Sequence, residues 1–192
     1  MYLVTYDIGN SFIKATLTKI ANSIEFVGAT VVSTHSTSTL GGKGVEQSTE
    51  QWWDSICRST KDLLKNYGIT SDQIKGISFC SQMNATVLVD ANGNTVRPPM
   101  TFLDRRADKE FKDYFDHGFK IHGLNIWKLI KAMRHTSMVP VGAYSPIWKY
   151  KWVQNNEPEN FARVDKFLDV GDYLLYKTTG RFVRTEDSAF CT

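Results

Sequence analysis

The sequence predicts an α/β domain. Three β-prone runs open the chain of 192 residues, and helical and strand-like segments alternate after them. Apolar residues make up 42% and charged residues 22%, the balance of an ordinary globular chain and not of a disordered one. The length matches about one domain. With 23 Lys+Arg against 20 Asp+Glu the net charge is +3, which argues against a dedicated nucleic-acid binder. No apolar run approaches the roughly 18 residues of a membrane span, and Met1-Tyr2-Leu3-Val4 lacks the basic start of a secretory signal. Cys57, Cys80 and Cys191 are too few and too widely spaced for a zinc set or a disulfide framework. The expectation is a cytoplasmic protein without a membrane or nucleic-acid partner.

The elements follow in order. Leu3-Val4-Thr5-Tyr6 is a strand ending at Asp7. Ile13 to Ile20 alternates as a second strand, Asn22-Ser23 turns the chain, and Ile24 to Val32 is a third strand. Ser33 to Gly44 is rich in Ser, Thr and Gly and is expected to be a loop. Ser48 and Thr49 are candidate N-caps of a long helix with Trp53, Ile56, Cys57, Leu63, Leu64 and Tyr67 at helical spacing, stopped by Gly68. Lys75 to Gln82 and Thr86 to Val89 are strands. The turn Asp90-Ala91-Asn92-Gly93 predicts a hairpin of Val87-Leu88-Val89 with Thr95-Val96. After Pro98-Pro99 helices take over: Asp104 to about Phe115, Ile126 to Met133, a helix capped by Ser145 through Val153, and a short one from Pro158 to near Val164. Asp169 and Asp172 start a last helix over Tyr173 to Tyr176, stopped by Gly180.

Three clusters carry chemistry. In Asp7-Ile8-Gly9-Asn10-Ser11, with Lys14 beyond, a turn between strands can present backbone amides to an anion. Asp7 is placed to hold Mg²⁺ through water, and Lys14 to offer a charge to a phosphate. The same residue types also build ordinary hairpin turns. In Ser81-Gln82-Met83-Asn84, polar groups leave a strand at its C-terminal end, where open α/β sheets bind ligands. The amides of Gln82 and Asn84 match sugar hydroxyls, although a polar loop entry reads the same way. Phe102-Leu103-Asp104-Arg105-Arg106 can stack on and hydrogen-bond a polyol, or can be a helix N-cap with solvated arginines. His35, His117, His122 and His135 have no metal spacing, and Trp52, Trp53, Trp148 and Trp152 read as core or interface packing.

Taken together and in order, these segments resemble the carbohydrate kinases of the FGGY family, most closely its xylulose-kinase members. Tyr6 to Lys14 is similar to the family's first phosphate loop, and Val45-Glu46-Gln47 with Glu50-Gln51-Trp52-Trp53 to the opening of its first long helix. Gly76 to Met83 resembles the strand leading to the sugar. Leu88 to Gly93 with Arg97-Pro98, then Asp104-Arg105-Arg106-Ala107, follow in family order. So do Trp152-Val153-Gln154, Glu157-Pro158, Asp172-Tyr173-Leu174 and Thr179-Gly180. The likeness is weakest from about Phe115 to Tyr144.

The resemblance implies a ribonuclease-H-like (actin-like ATPase) domain, a mixed sheet flanked by helices, and ATP-dependent phosphorylation of a ketose such as xylulose. It implies Mg²⁺ at Asp7 and ATP phosphates at Asn10, Ser11 and Lys14. The sugar would lie against Gln82, Met83 and Asn84, with Phe102 and Asp104 nearby. Xylulose kinases usually carry His-Gly where this chain has Asn84-Ala85, and Trp-Asn where it has Phe102-Leu103, so the identity of the sugar is open. The family's catalytic aspartate follows a glycine-rich segment without a counterpart in these 192 residues. Residues 1–192 are therefore expected to be the N-terminal domain, inactive without a C-terminal kinase domain, and able to self-associate through uncovered apolar surface near Trp148 and Trp152. The alternatives are a stand-alone sugar-binding or regulatory module and another actin-like ATPase. Gln82-Met83 and Asp104-Arg105-Arg106 favour the sugar kinase over the last.

Overall fold

A computed structural model describes residues 1–116, 118–121, 124–136 and 142–184, without the side chains of residues 132, 135 and 136. His117, His122 and Cys191 lie outside the described residues. Strands β1 (Tyr2–Ile8), β2 (Phe12–Ile20) and β3 (Ile24–Ser33) form an antiparallel meander. The segment expected to be a loop holds a short hairpin, β4 (Thr37–Thr39) with β5 (Gly44–Glu46). Its tip needs left-handed backbone at Gly41 and Gly42, and Gly44 sits where a β-carbon would collide with Thr39 and Arg106. Helix α1 (Thr49–Tyr67) follows, capped by Ser48, whose hydroxyl accepts the Gln51 N–H, and ended by left-handed Gly68.

Strand β6 (Ile74–Ser81) returns parallel to β1, so the sheet order is β3-β2-β1-β6, a mixed sheet. Alternation places Val4, Tyr6, Ile8, Ile13, Ala15 and Leu17 on one buried face. Trp52, Ile56 and Leu63 of α1 and Tyr173 and Leu174 of the last helix cover that face. The other face exposes Thr5, Asp7, Phe12, Lys14, Val31 and Cys80.

The second half builds a subsidiary layer. Strand β7 (Val87–Val89) was expected to pair with Thr95-Val96, but that contact stops at one Val89–Thr95 bridge and one bond from Val96 N to the Leu88 carbonyl. Pro98 and Pro99 come next, and proline cannot donate to a ladder. The full partner of β7 is the later strand Lys166–Leu168. Helix α2 (Asp108–Phe115) does not start at Asp104; Ala107 occupies its N-cap, and Asp104 is committed elsewhere. The strands β8 (Lys120–Ile121) and β9 (Leu124–Asn125) pair with each other before α3 (Ile126–Thr136). Helices α4 (Pro146–Asn156) and α5 (Pro158–Ala162) each begin with proline. Strand β10 (Lys166–Leu168) leads into α6 (Val170–Thr179), closed at its start by reciprocal Asp169 and Asp172 bonds and ended by Gly180, as expected. Trp148 is buried against Ala107 and Phe115, and Trp152 packs beneath Arg97 and Arg106, so both serve packing within the chain and not an uncovered surface. No helix among the described residues is long and apolar enough to cross a membrane.

Candidate functional site

The clusters Asp7 to Ser11 and Ser81 to Asn84 meet at one end of the sheet. Ile8 pairs with Ser81 across the parallel β1–β6 seam, and Gln82 N donates to the Ile8 carbonyl at 2.9 Å. Two loops thus leave adjacent strands at their C-terminal ends, side by side. The first is a tight hairpin turn, with Gly9 N bonded to the Phe12 carbonyl at 2.9 Å. Asp7 and Lys14 are cross-strand partners on the open face, 3.6 Å apart and 55% and 57% exposed. The Asn10 carbonyl accepts Thr34 Oγ1 at 2.8 Å and Gln47 Nε2 at 2.7 Å, and the Ser11 carbonyl accepts Thr34 N at 2.9 Å. The turn's backbone is therefore held from behind while Ser11 stays exposed.

In the second loop Met83 is 65% exposed and Asn84 adopts φ 58°, a left-handed conformation that Asn and His accept more readily than most residues. Phe102 and Leu103 are exposed on the neighbouring segment. Asp104 differs from the expectation of a sugar contact: it is fully buried, and its carboxylate accepts Val45 N at 2.8 Å and Arg106 Nε and Nη2 at 3.0 and 2.8 Å. Both oxygens are engaged inside the protein. Arg106 is correspondingly not solvated. It also binds Glu46 at 2.6 Å, and Glu46 is shared with Arg97, which reaches Glu157 at 2.7 Å. The Trp152 ring lies against both guanidiniums, 4.8 Å from that of Arg106.

Two residues that sequence reading did not single out as site residues complete the arrangement. Gln47, buried, bridges the Asn10 carbonyl and Gln82. Lys149 of α4 is fully buried, and its Nζ donates to the Asn84 carbonyl at 2.6 Å and the Thr101 carbonyl at 2.7 Å, tying together the segments that carry Asn84 and Phe102. Burial pushes the Lys149 ammonium down to about 7, with Asp104 opposing the shift and Arg106 reinforcing it. Nothing in Trp148-Lys149-Tyr150-Lys151 distinguishes this lysine from exposed Lys151. A pocket of about 760 Å³ lies beside the site, lined by residues that include His35, Glu46, Gln47, Glu50 and Arg97. Among the described residues no group of three or more His, Cys, Asp or Glu could hold a metal by itself.

The Lys149 shift has a measurable sign. Between about 7 and its ordinary value of 10.5 the unfolded chain holds more protons than the folded one. Stability attributable to this group therefore rises with pH across that window, and the burial cost is felt in full below about 7. Urea unfolding at pH 6.5 and 9 is expected to show the wild type gaining on Lys149→Met at the higher pH. A difference that stays flat with pH refutes the assignment.

The fold is that of a carbohydrate-kinase N-terminal domain. The family model "FGGY family of carbohydrate kinases, N-terminal domain" matches residues 2–190, and the chain belongs to that family. It is 32% identical over 188 residues to a xylulose kinase of Staphylococcus xylosus, covering 97% of this chain and 35% of that protein. It is 30% identical to the xylulose kinase of Escherichia coli (strain K12), over 71% of this chain and 25% of that one. The crystal structure of a xyloylose kinase from Brucella ovis superposes with a TM-score of 0.80 at 25% identity, over 94% of this chain and 34% of that structure's. That of a gluconate kinase from Lactobacillus acidophilus gives 0.81 at 21% identity, over 100% and 36%, and shows the fold alone. The chain spans about a third of the length of these proteins, apart from the shorter match in Escherichia coli.

Proposed function

We propose that this chain is the N-terminal, sugar-binding half of a two-domain, ATP-dependent cytoplasmic kinase that phosphorylates a ketose such as xylulose. The observation that carries the reading is the Gln82–Ile8 hydrogen bond, which seats the sugar loop beside the phosphate loop at the ends of two parallel strands. The relatives named as xylulose kinases support the substrate class.

Asn10, Ser11 and Lys14 would face the ATP phosphates, with Lys14 countering their charge. The Asp7 carboxylate fits Mg²⁺: it is a hard oxygen donor on an open face, with room for the waters this ion keeps. Bound there, the ion would neutralise phosphate charge in the transition state. Gln82 and Asn84 would orient the sugar hydroxyls, with Met83 and Phe102 lining the pocket. Asp104 takes a different role from the one expected: it anchors Val45 and Arg106 behind the site. The base that accepts the hydroxyl proton would come from the C-terminal domain, so turnover would need both domains closed on the substrates.

A coupled ATP-consumption assay on the two-domain protein with a panel of ketoses and polyols tests this reading. Ketose-dependent turnover is expected, and none with any sugar refutes it. Within the same panel, removing one amide partner at Gln82 or Asn84 is expected to weaken sugar binding by roughly 1–3 kcal/mol. Asn84→His keeps the left-handed backbone accessible and is expected to shift preference between sugars more than affinity for ATP. An effect mainly on ATP would place this loop away from the sugar.

A further inference from the structure

The segments that carry Asn84 and Phe102 run antiparallel, and their pairing stops abruptly. Thr86 N donates to the Met100 carbonyl at 2.8 Å and Met100 N returns the bond to the Thr86 carbonyl at 3.0 Å, in an isolated bridge. In a regular antiparallel ladder the next such pair, two residues on, would be Asn84 with Phe102, and the Phe102 N–H would reach the Asn84 carbonyl. Asn84 instead adopts φ 58°, and its carbonyl receives Lys149 Nζ at 2.6 Å. The same Nζ donates to the Thr101 carbonyl at 2.7 Å. The Lys149 head group thus occupies the fork where the two segments part.

Lys149 is held from its own side as well. Its helix is anchored by Trp148, which packs on Phe111 and Phe115, and by Val153, fully buried. A non-glycine residue keeps left-handed backbone where its surroundings impose it, and the bond from Lys149 supplies that constraint at Asn84. On the outer side of the fork the side chains are open to a ligand: Met83 is 65% exposed and Phe102 42%.

We propose that Lys149 is a positioning residue that holds the Asn84 carbonyl inward, stops the ladder from closing onto Phe102, and so sets the spacing at which Asn84 and Phe102 meet a sugar. The inference rests on the sugar-kinase reading above and adds to it a residue that touches no substrate. Without this clamp Asn84 returns to extended backbone and takes the Phe102 N–H. Its side chain then falls into the alternation of a strand and leaves its present direction.

The test compares the wild type with Lys149→Met and Lys149→Gln in the two-domain protein, with circular dichroism as the folding control. Glutamine is one bond shorter than lysine and cannot span both carbonyls, so it keeps the test open if Lys149→Met does not fold. In the variants kcat/KM for the ketose is expected to fall roughly 10- to 100-fold, as when a mutation away from the chemistry shifts a binding group. The loss should lie mainly in the sugar KM, with the KM for ATP held within about twofold. A lysine that served stability alone would lower the active fraction and leave both KM values unchanged. Amide hydrogen exchange on the same samples without sugar reads the fork directly, and protection of the Phe102 amide is expected to rise in the variants as the ladder bond forms. Either of two results overturns the proposal while leaving the sugar-kinase reading standing: Phe102 protection that does not rise, or a sugar KM that moves no more than the KM for ATP. A wild type that turns over no sugar would instead remove that reading, and the clamp's role with it.

Discussion

Replacing Asp7 by alanine is expected to cut turnover of the two-domain protein by several orders of magnitude and leave the fold intact. The two halves of that expectation come from the same geometry. Asp7 is more than half exposed at the end of β1, and its recorded ion-pair partner is Lys14 at 3.6 Å. An exposed pair of that kind contributes at most about 1 kcal/mol to stability. A carboxylate that places a divalent ion on transferring phosphates acts chiefly on the transition state, so its loss falls on the rate. Steady-state kinetics with circular dichroism on the same sample decides it. Near-normal turnover in a folded variant would show that the hairpin turn is only a turn.

Asp104→Ala should do the reverse, unfolding the domain before it alters chemistry. The carboxylate is fully buried, and its removal orphans the Val45 N–H and takes one anion from a cluster of Asp104, Glu46, Glu157, Arg97, Arg106 and Lys149. With Lys149 protonated, three carboxylates balance three cations in this cluster. Breaking a buried pair from one side costs about 3–5 kcal/mol, and at roughly 2–4 °C per kcal/mol for a chain of this size the melting temperature should fall by roughly 6–20 °C. Removing Arg106 as well, in Asp104→Ala/Arg106→Met, should recover part of the loss, because the uncompensated guanidinium goes with it. Thermal unfolding of the single and double variants measures this. A single variant that melts like the wild type, with altered sugar affinity, would return Asp104 to the sugar.

Much of the local structure was legible because its signals are local. The hydroxyl of Ser48 and the left-handed Gly68 bound α1 by contacts within one turn of the helix, and both are read from residue type. The strand alternation in β1 and β2 predicted a buried face, and the order of the short motifs carried the family. The three-residue strand Lys166–Leu168 was missed because it is too short to show a period. Asp104 was misread for a related reason. As an Asp before an amphipathic run it has the composition of a cap, yet Ala107 takes that place.

The sequence by itself determined the α/β class, the three-stranded opening, the family and the two loops that flank the sheet end. Each of these rests on patterns among neighbouring residues or on motif order along the chain. Tertiary structure alone decided that Lys149 is buried while Lys151 is exposed, that Gln47 joins the two loops, and that Asp104 faces inward. The physical reason is that burial and hydrogen-bond orientation are set by groups far apart in the chain. Lys149 meets Thr101 across 48 residues, Gln82 meets Gln47 across 35 and Asp104 meets Val45 across 59. No local window contains both partners, so their chemistry exists only once the chain has folded.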